Sequence, residues 1–327
     1  MRILKIVILS FFALIVIYFL GPKPSTPVFN NDLPQVASIN SIDAYITAME
    51  SPYKIKPNNE AKIIWADSSK TQTAYAIVYL HGFSASQMEG DPIHREIAKK
   101  FHCNLYLARL AEHGIDTTEA LLNLTAEKYW ESAKQAYAIG KKIGKKVILM
   151  STSTGGTLSL QLAAAYPEIA GLVLYSPNIE VYNPAAPLLD NPWGLQIGRI
   201  VMKGNYVNVH YTDSAYPKYW NAHYRIEAVV ALQNLLEATM TKELFNKIHQ
   251  PTLVLYYYKN ETEQDHVVKT TAIKKMFANI ATPDSLKVLK AMPNTGNHVL
   301  ASPIVSKDVA GVEKETAAFI AAKIIHN

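Results

Sequence analysis

Five short segments of this chain, residues 76–80, 105–108, 147–150, 171–175 and 252–256, are apolar at nearly every position. A strand with one wet face alternates apolar with polar residues. These segments do not, so both of their faces must be covered, the condition of a mostly parallel sheet packed between layers of helices. Helical spacing of apolar residues supplies candidates for those layers at residues 126–142 and 307–325, and through Leu158, Leu160, Leu162 and Ala165. With 327 residues, 49% of them hydrophobic, the chain has enough apolar content for one large core. One α/β domain carrying an insertion fits better than two independent domains.

One of these segments does more than build a sheet. The run Val147-Ile148-Leu149-Met150 breaks into Ser151-Thr152-Ser153-Thr154-Gly155-Gly156 and continues as a helix through Leu158, Leu160 and Leu162. A serine on a tight strand-to-helix turn is the arrangement of a nucleophile elbow. The residues two before and two after it must be small, so that strand and helix can pass closely. Ser151 and Gly155 meet that demand, although glycine is the usual residue where Ser151 stands. Plain packing of a helix start is the competing reading of the motif alone, and the partners of Ser153 decide between them.

Acyl transfer by a serine needs a histidine to take its proton, an acid to orient that histidine, and two N–H groups to hold the developing oxyanion. Segment 76–80 empties into His81-Gly82-Phe83-Ser84. There Gly82 lets the backbone approach a reacting carbonyl, and the N–H of Phe83 would join that of Thr154 as an oxyanion hole. His81, at the strand end itself, reads as a brace of the loop. After segment 252–256 a polar loop leads to Asp265, the expected acid, with Glu261 and Glu263 as alternates. Asp265 also reads as the N-cap of a helix opening at His266-Val267-Val268. Finally, Asn294-Thr295-Gly296-Asn297-His298 forms a polar turn after a short edge-like strand at 286–289, and His298 is the expected general base. The order Ser153, Asp265, His298 differs from the orders of the two protease folds that use the same triad and is that of the hydrolases.

On these motifs the chain resembles the α/β-hydrolase superfamily, most closely its cap-bearing carboxylesterase and monoacylglycerol lipase branch, over roughly residues 60–325. The resemblance rests on His81-Gly82-Phe83, Arg109-Leu110-Ala111-Glu112-His113-Gly114, the elbow around Ser153, Asp265-His266-Val267-Val268 and Asn297-His298. It departs from the family pattern at Ser151 and at Glu112, where glycine is usual in both places. Neither departure removes a catalytic group. Glu112 either alters the entrance to the site or is a solvated loop carboxylate.

About 75 residues separate segments 171–175 and 252–256, far more than the 10 to 15 that one crossover helix needs. The core is therefore expected at 60–181 and 248–327, with an inserted, mainly helical cap at 182–247. The cap carries Trp193, Trp220, many tyrosines and an amphipathic stretch at 226–244. Its aromatics either line an acyl pocket or form the cap's own small core.

At the other end, Arg2 and Lys5 precede fifteen residues, 6–20, interrupted only by Ser10. A transmembrane anchor within residues 1–24 is the expectation, with its positive flank inside and the catalytic domain on the extracytoplasmic side, periplasmic if bacterial. A cleaved signal peptide and secretion is the alternative, but residues 19–24 offer no small-x-small cleavage site. The proline-containing, polar stretch that follows is expected to be a tether within an N-terminal extension, 25–59.

The single cysteine, Cys103, cannot form an intrachain disulfide and reads as a packed small residue. The net charge is +5, with lysines in scattered pairs and no dense basic stripe, which argues against nucleic acid as a partner. No metal-ligand spacing and no phosphate loop is present in the sequence, so neither metal nor cofactor is expected. Oligomeric state is not legible. The expectation is a membrane-tethered serine hydrolase of carboxylic esters, its substrate an acylglycerol or an ester of another lipid-like alcohol. Peptidase, amidase and thioesterase chemistry use the same apparatus, and a non-catalytic, membrane-anchored binding protein of the same fold is the rival from another class.

Overall fold

The continuously apolar segments become the central strands of one seven-stranded sheet in the computed structural model, which describes residues 2–325. In chain order the strands are β1 (Lys62–Ile64), β2 (Thr73–Leu80), β3 (Asn104–Leu107), β4 (Gly144–Thr152), β5 (Gly171–Tyr175), β6 (Tyr206–Asn208), β7 (His223–Arg225), β8 (Thr252–Tyr256) and β9 (Lys287–Ala291). The sheet runs β1-β3-β2-β4-β5-β8-β9, and only β1 is antiparallel to its neighbour. β1 is short and half-buried, and so carried no continuous apolar run by which sequence reading would find it.

The helices are α1 (Arg2–Phe19), α2 (Ile42–Glu50), α3 (Ile93–Lys100), α4 (Ala126–Ile143), α5 (Thr154–Ala165), α6 (Gly194–Val201), α7 (Tyr216–Tyr219), α8 (Glu227–Thr239), α9 (Lys242–Phe245), α10 (Thr270–Asn279) and α11 (Val309–Lys323). Successive strand residues feed two different cores. Val78, Leu80, Leu149, Leu172 and Leu174 face α4 and α5, while Ile77, Tyr79, Ile148, Met150 and Val173 face α3 and α11. Each such side chain, fully buried, contributes roughly 1.5–3 kcal/mol. That two-sided burial is why the strands read as unbroken apolar runs.

Strands β2 and β4 are neighbours, while β3, which lies between them in sequence, sits on the far side of β2. The connections therefore diverge between β2 and β4 at their carboxyl ends, where an open α/β sheet presents its binding crevice. The loops after β2, β4, β5, β8 and β9 all leave from this edge.

The inserted segment holds α6 to α9, but also the antiparallel pair β6–β7, so it is not all helix. It is fastened to the core by Asn221 N–H to the Ser84 carbonyl (2.6 Å), Arg225 N–H to the Ala120 carbonyl (3.0 Å) and the Arg225–Glu119 ion pair (2.6 Å).

The two N-terminal expectations fare differently. The apolar run does form a helix, α1, whose side chains from Ile3 to Phe19 are exposed all round. Among the described residues, however, no helix is long and apolar enough to cross a membrane. At 1.5 Å per residue, 18 residues extend about 27 Å against a hydrocarbon layer of about 30 Å. The stretch behind it is no free tether. The carbonyls of Asn30, Asn31 and Asp32 accept bonds from Trp130 Nε1 (2.7 Å), Tyr166 OH (2.6 Å) and Lys134 Nζ (2.9 Å). Higher up, Trp193 of the cap donates to Pro22 and Ile17 carbonyls. An extended chain with unpaired carbonyls supplies the acceptors that these side chains of the helical layer and cap require.

Candidate active site

Ser153 sits at the junction of β4 and α5 with φ 53° and ψ −119°, a backbone conformation that costs an L-residue of order 1–3 kcal/mol and persists only where the surroundings enforce it. The enforcement is visible. The Ser153 N–H donates to the Tyr175 carbonyl (2.9 Å), and its own carbonyl accepts from Gly156 (2.8 Å) and Asn178 (2.9 Å). A Cβ on Gly155 would stand 2.0 Å from the Leu80 carbonyl oxygen, so only glycine lets α5 start against β2. Ser151, where glycine is usual, is fully buried, and its hydroxyl accepts from that of Ser159 (3.0 Å), a bond from β4 to α5 that a glycine could not make.

Asp265 and His298 arrive from the loops after β8 and β9. His298 Nδ1 and Asp265 Oδ2 are 2.5 Å apart, and the second carboxylate oxygen accepts the N–H groups of Val267 (2.8 Å) and Val268 (3.1 Å). These are cap-like bonds without a helix. Helix α10 begins only at Thr270, behind Lys269, so the expected helix at 266–268 and the N-cap role of Asp265 are corrected to a hydrogen-bonded turn. In this turn one carboxylate oxygen takes the Val267 and Val268 N–H groups and the other is left to His298. Glu261 and Glu263 are exposed and bond to Tyr258 and to Lys259 and Asn260, away from His298.

Burial opposes charge on all of these groups, and the pair overcomes it. Burial would raise Asp265, but the His298 charge and hydrogen bond and the two backbone N–H groups hold it below the ordinary aspartate value. Burial would lower His298, but the Asp265 charge and hydrogen bond, with a smaller contribution from Glu89, hold it above the ordinary histidine value. Its other nitrogen, Nε2, is buried with no hydrogen-bond partner among the described residues and shares a cavity with Ser153.

The loop after β2 is held by two histidines. His81 donates from Nδ1 to the Gly82 carbonyl (2.9 Å) and accepts at Nε2 from Leu110 N–H (3.1 Å); burial pushes it down to about 4, so it stays neutral. His113, from the Glu112-His113-Gly114 turn, accepts the Ser84 N–H at Nε2 (3.0 Å) and is likewise lowered by burial. With Gly82 N–H committed to Glu89 (2.5 Å) and Ser84 N–H to His113, the N–H of Phe83 has no acceptor among the described residues, and neither has that of Thr154 at the first position of α5. Two uncommitted donors beside a strained serine are what an oxyanion site requires. Glu112 pairs with Lys128 (3.1 Å) and does not line the cavity.

The cavity measures 640 Å³. Ser153, His298, Phe83 and Ser84 lie on its core side, with Tyr216, Trp220, Tyr224 and Leu232 from the cap opposite. Of the cap aromatics, Tyr216 stacks on Trp220 (8°, 4.8 Å), and both line the cavity.

Two residues here, Glu89 and Asn178, escaped sequence reading. Glu89 is buried, held by Gly82 N–H and by Trp220 Nε1 (3.2 Å), and burial lifts its carboxyl to about 7 against those bonds and the His298 charge. Asn178, beyond β5, is 3% exposed and lines the cavity. Trp220 covers Glu89 from the cap. The only signal available was a position after a strand end, as for Asn178 in Tyr175-Ser176-Pro177-Asn178. Among the described residues no group of side chains could hold a metal ion.

A family model for the serine aminopeptidases, S33, matches residues 127–295, which include Ser153 and Asp265 and stop three short of His298. No curated protein matches the chain. Solved structures with the same fold include a protein from the work on LipS and LipT, two metagenome-derived lipolytic enzymes (TM-score 0.64, 17% identity, covering 81% of this chain and 98% of that one). Others are the monoacylglycerol lipase of Paleococcus ferrophilus (0.56, 12%, 80% and 97%) and Est1E of Butyrivibrio proteoclasticus (0.56, 14%, 82% and 96%). At such identities the likeness is one of fold.

Proposed function

Since the chain belongs to the serine aminopeptidase S33 family of α/β-hydrolases, we propose that it is a serine hydrolase that cleaves carboxylic esters of lipid-like alcohols through an acyl-enzyme. The observation that carries this reading is the 2.5 Å Asp265–His298 pair, with its free Nε2 facing the cavity that also holds the strained Ser153. In this reading Ser153 Oγ attacks the ester carbonyl while His298 Nε2 takes its proton. Asp265 keeps the imidazole oriented and stabilises its charged form. The N–H groups of Phe83 and Thr154 receive the oxyanion, each worth roughly 3 kcal/mol. His298 then returns the proton to the departing alcohol, and water repeats the sequence on the acyl-enzyme. Ester chemistry is favoured over peptide cleavage by the apolar walls of the cavity, Val181, Val209, Val229 and Leu232, and by the lipases and esterases among the structures of the same fold. Hydrolysis of 4-nitrophenyl esters from acetate to palmitate, wild type beside Ser153→Ala, tests it. The expected result is turnover that falls about 10⁶-fold in the variant; wild-type turnover no greater than the variant's on every ester would sink the reading.

The same proposal includes membrane attachment through α1, with the catalytic domain on the extracytoplasmic side. What supports it is an apolar helix exposed all round, a surface that water-soluble domains rarely present. A stretch a few ångström short is accommodated by local thinning of the bilayer and by snorkelling of a flanking cation, here Lys5. Retention in the membrane pellet after an alkaline carbonate wash is expected; release into the wash would remove this part.

A further inference from the structure

The expected oxyanion donor, Phe83 N–H, sits in a segment, 82–84, held at four points, and two of the four are reached from the cap. The inner pair belongs to the core: His81 Nδ1 donates to the Gly82 carbonyl, and His113 Nε2 accepts the Ser84 N–H. These bonds fix the two peptide planes that flank Phe83. The outer pair fixes the ends of the segment. Gly82 N–H donates to Glu89 Oε2 (2.5 Å), whose other oxygen accepts Trp220 Nε1 (3.2 Å). At the far end, the Ser84 carbonyl accepts the N–H of Asn221 (2.6 Å). Consecutive cap residues thus bracket Phe83, and its ring meets a further one, Tyr224, edge-on (5.1 Å, 84°). The bracket is itself held. Trp220 packs with Ala85 and with Val299, the neighbour of His298, and Asn221 Oδ1 accepts Lys56 Nζ (2.7 Å) from the N-terminal extension. On the inside there is no slack, since a Cβ on Gly82 would stand 2.9 Å from both Glu89 Oε2 and Ser153 Cβ.

We propose that Trp220 and Asn221 are positioning residues of the oxyanion hole: through Glu89 and the Ser84 carbonyl they hold the Phe83 N–H towards the reacting carbonyl, so that the hole is complete only with the cap seated. This rests on the serine-hydrolase reading of the site. An oxyanion donor helps only if its direction is set before the reaction, because a peptide that must reorient as charge develops gives back what the bond supplies. With the outer pair released, segment 82–84 is free to pivot about its histidine bonds, and a displacement of about 1 Å costs up to about 10²-fold in rate. A cap that only covered the pocket would act on substrate affinity. A cap that holds Phe83 acts on the chemical step.

The test compares wild type, Trp220→Phe, Glu89→Gln and the double variant, each as the full chain in detergent. Trp220→Phe keeps a ring against Tyr216 and Val299 and removes the indole N–H. Glu89→Gln leaves one acceptor oxygen for two N–H donors; in the double variant the indole donor is gone and that oxygen is free for Gly82. On the alkaline plateau, kcat for 4-nitrophenyl butyrate is expected to fall about tenfold in each single variant, against roughly a hundredfold or more for outright removal of a hole donor, with KM changed less than about twofold. Affinity for a hexyl trifluoromethyl ketone, whose adduct with Ser153 places an oxyanion in the hole, should fall by the same factor. The double variant should lose no more than the larger single loss, where independent residues would lose about a hundredfold. Unchanged kcat and ketone affinity in Trp220→Phe, a rise in KM alone, or losses that multiply in the double variant would each overturn the proposal. Should Trp220→Phe not fold, Glu89→Gln makes the same comparison of kcat, KM and ketone affinity. The ketone needs no turnover, so an adduct without ester hydrolysis would fail the ester reading alone, and a wild type that forms no adduct would overturn both.

Discussion

Asp265 and Glu89 are both buried carboxylates at the same end of the sheet, yet their proton affinities move in opposite directions. For each, burial is the largest influence and raises the value. Asp265 answers it with a charged, hydrogen-bonded histidine and two backbone N–H groups, and ends below the ordinary value. Glu89 has one backbone N–H, one indole N–H and a more distant histidine, and ends at about 7. Burial does not decide whether a carboxylate works as a charge; the number and nearness of its donors do.

The largest test of that contrast removes the stronger partner. Asp265→Asn leaves the volume unchanged and takes away the charge that orients and stabilises His298; kcat for 4-nitrophenyl ester hydrolysis is expected to fall about 10⁴-fold. A fall of less than tenfold would mean that Asp265 is not the orienting acid.

A second test sits on folding. The folded-state value of Glu89 lies above the ordinary glutamate value of 4.5, so the folded protein keeps a proton that the unfolded chain has released. Its contribution is present below pH 4.5 and is lost as the pH rises towards 7, at about 1.4 kcal/mol per pH unit. Asp265, shifted down, does the reverse, since its contribution is present above its ordinary value near 3.8 and is lost as the pH falls below it. Urea titrations of wild type and Glu89→Gln between pH 5 and 6.5 should differ in slope by about that amount, with wild type losing stability faster as the pH rises. Parallel slopes would show that Glu89 is ionised in the fold.

The smallest effect is kinetic. His298 acts as a base when neutral, and its raised value places the acid limb of kcat/KM above pH 6.5. Glu89 contributes part of that rise, so Glu89→Gln should move the limb to lower pH by less than one unit. An unmoved limb would mean that Glu89 is not felt at His298.

The candidate-site residues were legible because each sits where local physics writes a signal. Ser153 needs small neighbours, Phe83 needs Gly82 before it, and Asp265 and His298 end polar loops after apolar strands. The turn at Asp265 was misread as a helix start because both use the same side-chain bonds to nearby N–H groups, and only the later start of α10 tells them apart. Ser151 read as a departure because its partner, Ser159, meets it only after α5 folds back on β4. Glu89 carried no signal at all, since glutamate is ordinarily solvated and its burial depends on Trp220, 131 residues away. The stretch behind α1 looked like a tether because its composition is that of one, while the side chains that hold it belong to α4, α5 and the cap.

From the sequence alone follow the two-sided parallel sheet, the strand-to-helix turn at Ser153, and the loops that carry Asp265 and His298, because periodicity and turn chemistry act over a few neighbouring residues. Tertiary structure decided which carboxylate is held charged, which amide near Ser153 is left free, and which extended segment is bound. Those outcomes depend on donors and burial contributed by residues distant in the chain, and no local pattern encodes them.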